Sequence, residues 1–94
     1  MAILRIEHAV FDYAAWKNVF DSDPVGRKAA GVRKHTIMRQ LDDPKYVLID
    51  LDFDTADDAS AMLAALRVIW GHVEGTLISG PQARIVESVE TAPV

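Results

Sequence analysis

Residues 32 to 53 read Val-Arg-Lys-His-Thr-Ile-Met-Arg-Gln-Leu-Asp-Asp-Pro-Lys-Tyr-Val-Leu-Ile-Asp-Leu-Asp-Phe. Val32 to Leu41 and Tyr46 to Phe53 are two β-prone runs, and Asp42-Asp43-Pro44-Lys45 between them is a turn-forming cluster of hairpin length. A four-residue loop sets Leu41 opposite Tyr46. Antiparallel pairing then runs back from there, and side chains alternate between faces. This register puts Val47, Ile49, Leu51 and Phe53 on one face with Gln40, Met38, Thr36 and Lys34, a set apolar enough to be the covered side. The other face receives Tyr46, Leu48, Asp50 and Asp52 with Leu41, Arg39, Ile37, His35 and Arg33. His35 is expected directly across from Asp52, with Arg39 diagonal to Asp50 and within reach of it.

The flanks complete the pattern. Upstream, Leu4, Ile6 and Val10 alternate with Arg5 and Glu7, the period of a half-buried strand. Asp12 then caps a helix whose Tyr13, Trp16, Val19 and Phe20 share one face. Asp23-Pro24 restarts a short helical turn that Gly31 ends. Downstream, Thr55 caps a second helix, with Asp57 and Asp58 in its first turn. Its stripe is Ala59, Met62, Leu63, Leu66, Ile69, Trp70 and Val73, and Gly75 stops it. After Ser79-Gly80-Pro81, Ala83 to Val89 reads as the last strand. The order β-α-β-β-α-β predicts an α+β, ferredoxin-like domain over residues 1 to 90. Its four-stranded antiparallel sheet carries both helices on one face, and residues 91 to 94 form a flexible tail.

Ninety-four residues allow one core, and with 50% hydrophobic and 26% charged residues the chain is expected to fold. With no cysteine there is no disulfide or thiolate metal site to compensate for the small core. The uncovered sheet face is therefore the expected surface of a homodimer. A net charge of −4 argues against nucleic acid as a partner. No apolar run approaches the roughly 18 residues of a membrane span, and no signal-like leader precedes the first strand, so a cytoplasmic protein is expected.

Charge is segregated along the hairpin: Arg27 to Leu41 holds five basic residues and no acidic one, whereas Asp42 to Asp58 holds seven acidic residues and one lysine. Cross-strand ion pairs that fix register explain such a pattern. So does a polar cluster of His35, Arg39, Asp50 and Asp52, desolvated under a second subunit. His35 oriented by Asp52 has the form of a general base. His8, on the parity of Leu4 and Ile6, should point toward the helices as a second acid/base candidate. Trp16 and Trp70, with Arg39 and Asp50, are candidate ligand-binding residues. The three histidines lack the close spacing of a metal site, and no phosphate loop or nucleophile motif occurs, so neither metal nor cofactor is expected.

The segment order, the helix start Asp12-Tyr13-Ala14-Ala15-Trp16-Lys17, the Asp42-Asp43-Pro44 turn and Gly80-Pro81 resemble the dimeric α/β-barrel superfamily of antibiotic-biosynthesis-monooxygenase-like bacterial domains. The resemblance spans about residues 2 to 90. It implies two subunits packed sheet to sheet, with ligands bound between sheet and helices or in the barrel. The implied function is binding of a small aromatic or polyketide-like molecule. The alternative is cofactor-free monooxygenase, isomerase or cyclase action on such a molecule.

Overall fold

The computed structural model describes all 94 residues and contains β1 (Ala2–Val10), α1 (Tyr13–Ser22), β2 (Val32–Gln40), β3 (Asp43–Phe53), α2 (Ala56–Val73) and β4 (Ile78–Val86). The sheet is antiparallel with strand order β2-β3-β1-β4. This is the ferredoxin-like β-α-β-β-α-β arrangement expected from the sequence. β1 and β3 are central, and their inward residues Leu4, Ile6, Val47, Ile49, Leu51 and Phe53 form the core with Trp16 of α1 and Ala59 and Met62 of α2. No helix is long and apolar enough to cross a membrane.

The caps form where short polar side chains precede apolar stripes. Asp12 accepts the backbone N–H groups of Ala14 and Ala15, and Thr55 accepts that of Asp58, so each cap satisfies part of the free donors at its helix start. Asp23 closes α1 in a left-handed conformation, φ 55°, and its carboxylate then accepts the N–H of Arg27. The expected helical turn after Pro24 is instead a run of hydrogen-bonded turns ending at Gly31, φ 98°.

The hairpin differs from its predicted form, with a large consequence. Only Leu41 and Asp42 lie between the strands: Gln40 pairs with Asp43, and the ladder then skips to Arg39 opposite Val47. Pro44 has no N–H for the ladder, and the Asp43 carboxylate accepts the N–H of Lys45, so residues 44 to 46 bulge. From Lys34 to Arg39 the register is displaced by one residue, which turns these side chains to the other face, whereas Val32, beyond a second irregularity, stays buried opposite Phe53. His35 pairs with Leu51, Ile37 with Ile49 and Arg39 with Val47, on the helix side. The expected His35–Asp52 and Arg39–Asp50 pairs do not form.

β4 begins earlier than predicted. Gly80-Pro81 lies inside it, at the irregularity where β1 pairing shifts between Glu7 and Ala9. Gly80 takes φ 63°, open to glycine at little cost, and proline is tolerated because β4 is an edge strand.

Candidate functional site

The inward face of β1 carries His8 among aliphatic residues, and α1 brings Trp16 over it. Their rings meet edge to face at 5.8 Å, and Trp16 continues into Phe20 at 5.3 Å and Tyr13 at 5.7 Å. This row exists because Tyr13, Trp16 and Phe20 recur at helical spacing after the Asp12 cap. From α2, the same periodicity supplies Met62, Leu66, Ile69, Trp70 and Val73. Between the two rows and the sheet lies a cavity of about 90 Å³ whose lining is apolar except for His8, Asp23 and Arg27. His8, Trp16 and Trp70, singled out on separate elements, therefore meet at one site.

His8 is 2% exposed. Its Nδ1 lies 3.1 Å from the Ala9 carbonyl oxygen, its one hydrogen-bond partner. A carbonyl only accepts, so Nδ1 carries the hydrogen and Nε2 keeps its lone pair. Burial pushes the imidazole pKa below its ordinary 6.5, and the bond to Ala9 opposes this more weakly. At neutral pH the cavity thus holds an uncharged imidazole able to accept a hydrogen bond or a proton from a hydroxyl placed against the tryptophans.

The remaining candidates lie elsewhere. His35 is exposed on edge strand β2, with its ring 5.1 Å from Phe20, and Arg39 stacks over Tyr13 at 4.7 Å. Asp50 and Asp52 are on the uncovered face, with new partners. Arg5 grips Asp50 through two bonds of 2.9 and 2.8 Å, and Lys34 approaches Asp52 at 3.5 Å. On that face Tyr46 donates its hydroxyl to Glu7 at 3.1 Å, and burial together with this bond raises the phenol pKa. No three His, Asp or Glu side chains converge as a metal site would require.

Phe20 and Arg27 line the cavity but were not picked from the sequence. Phe20 was visible as a stripe residue. Arg27 was hidden because it reaches back seven residues to donate to the Phe20 carbonyl oxygen at 2.8 Å and to cover the Phe20 ring at 3.9 Å.

No protein-family model matches the sequence, and no curated protein matches it significantly. Solved structures share the fold. SnoaB, a cofactor-independent oxygenase from Streptomyces nogalater, superposes with a TM-score of 0.72 and 16% identity over 99% of this chain and 97% of its own. A candidate antibiotic biosynthesis monooxygenase from Deinococcus radiodurans gives 0.64 and 13% over 100% and 98%. A dimeric ferredoxin-like protein from an uncultured marine organism gives 0.65 and 13% over 97% of both chains. The chain has the ferredoxin-like fold of antibiotic-biosynthesis-monooxygenase-type structures, as its segment order implied.

Proposed function

We propose that this protein binds a small aromatic molecule bearing an ionisable hydroxyl, between the sheet and the two helices, and does so as a homodimer joined through the uncovered sheet face. The carrying observation is a buried, neutral His8 with a free Nε2 among the residues that line an apolar cavity together with Trp16 and Trp70. Aromatic walls favour a flat ligand, and the lone pair selects for a hydroxyl. His8 is the acid/base residue of this reading. Asp50 and Asp52 belong to the subunit interface, and His35 and Arg39 lie outside the cavity on the α1 side of β2. The fold shared with a dimeric ferredoxin-like protein supports the dimer.

A second reading, cofactor-independent oxygenation, is favoured by the likeness to SnoaB together with the same imidazole. His8 would take a proton from an activated aromatic methylene. Dioxygen would then convert the CH2 to C=O, one oxygen atom entering the product and the other leaving as water. Oxygen uptake equal to the loss of a substrate such as anthrone, and dependent on His8, is the measurement that distinguishes enzyme from binder.

Binding is tested with 2-naphthol and 2-methoxynaphthalene by calorimetry. The wild type is expected to prefer the hydroxyl compound by about tenfold, the worth of one hydrogen bond in a dry site. His8→Phe keeps a ring against Trp16 but has no nitrogen, so it should bind both compounds with nearly equal affinity. An unchanged preference in His8→Phe would remove His8 from the proposed role.

A further inference from the structure

The cavity borders a second feature. Asp23 and Arg27, which border it, also begin a shallow groove of about 390 Å³ that runs over Lys28, Arg33, Lys34 and His35. Phe20 stands between the two, with one part on the cavity and the Arg27 guanidinium and the His35 ring against it. The groove is basic although the chain as a whole carries −4.

Its charges are unequally satisfied. Arg33 is held by Asp54 through bonds of 3.0 and 2.8 Å, and Lys34 leans to Asp52 at 3.5 Å. Arg27 is fixed in place by its stacking on Phe20 and by the bond from Nη1 to the Phe20 carbonyl. The same Nη1 lies 3.5 Å from the Asp23 carboxylate. Nε and Nη2 of Arg27 have no protein partner, and Lys28 has no carboxylate within ion-pair distance. The unsatisfied donors are thus on Arg27, which borders both spaces, and on its neighbour Lys28 in the groove. A guanidinium held this way is ready to take a carboxylate without first being ordered.

Volume points the same way. About 90 Å³ falls well short of the roughly 300 to 1,000 Å³ of pockets that enclose drug-sized ligands. A ligand larger than one ring must extend outward, and Arg27 borders both spaces. We infer that the ligand is an aromatic molecule with an anionic substituent, its ring against Trp16 and Trp70 and its anion over Arg27 and Lys28. This rests on the ligand-binding reading above and deepens it by naming the ligand's charge.

The test is calorimetric titration at low salt with 2-naphthylacetate and with its neutral isostere 2-naphthylacetamide. The wild type should bind the anion about tenfold more tightly than the amide. Lys28 is exposed, so Lys28→Glu should keep the wild-type circular dichroism spectrum, weaken the anion about tenfold and change the amide by less than about twofold. Equal affinities for the two compounds in the wild type overturn the inference and leave the cavity reading intact. A preference untouched by both Lys28→Glu and Arg27→Gln also overturns it. Binding of neither compound overturns the cavity reading, and this inference with it.

Discussion

Trp16→Ala is expected to lower the free energy of unfolding by about 3 to 5 kcal/mol, read from urea denaturation with an unchanged slope. The indole is 6% exposed and touches His8, Tyr13 and Phe20. It is the buried residue through which α1 joins the core. Removing it forfeits both the transfer free energy of the ring and the contacts of its neighbours, and it opens the existing cavity further. For a domain of this size such a loss is a large fraction of total stability, so the variant should melt many degrees lower. A change below about 1 kcal/mol would mean that α1 docks by other contacts. Trp16→Phe, which keeps an aromatic ring, should lie between the two and separate loss of the cavity wall from loss of the fold.

Asp50→Arg is expected to convert a dimer of twice 10.4 kDa into a monomer, measured by light scattering at micromolar concentration. In the sheet, Arg5 lies between Asp50 on β3 and Arg84 on β4. The Asp50 carboxylate, whose side chain is 14% exposed, accepts two hydrogen bonds from Arg5. The substitution sets three guanidinium groups in a row. On a wet surface that costs at most about 1 kcal/mol, because water screens exposed charges. Under a second subunit, unpaired buried charge costs about 3 to 5 kcal/mol, or a loss of dimer affinity of order a hundredfold to several-thousandfold. The size of the effect thus distinguishes a covered face from an open one. A wild type that is already monomeric, or an Asp50→Arg dimer of unchanged affinity, would contradict the proposed interface.

The architecture was legible because each element carries its own period and its own punctuation. Asp12 and Thr55 open the helices they were expected to open, and the stripe from Ala59 to Val73 packs as the spacing demanded. The parity of β1 and β3 was equally clear, since the charged residues of β1, and of β3 beyond its bulge, fall on one side and the other side is almost wholly apolar. β2 offered no such guide. Its inward residues His35, Ile37 and Arg39 are mostly polar, because an edge strand at the side of the sheet is only partly covered. Its orientation had to be inferred from the turn, and there Pro44 and the Asp43 carboxylate draw residues into a bulge that loop length alone does not show. One residue of slip exchanged the partners: Asp52 faces Lys34 in place of His35, and Asp50 is taken by Arg5 across the other ladder. The site itself was half visible. His8, Trp16 and Trp70 follow from strand parity and helix periodicity, whereas Arg27 reaches the cavity from a turn whose path no periodicity encodes.

The most direct measurement is the two-dimensional NMR spectrum of the tryptophan indole N–H groups during titration with 2-naphthol. The chain has two tryptophans, and both line the cavity. A ligand seated there should move both indole resonances together, saturably, along one binding curve. His8→Phe should keep the two resonances but shift that curve to about tenfold higher ligand concentration. Indole resonances that stay in place while the ligand binds elsewhere, or that never move, would contradict a ligand site between the sheet and the helices.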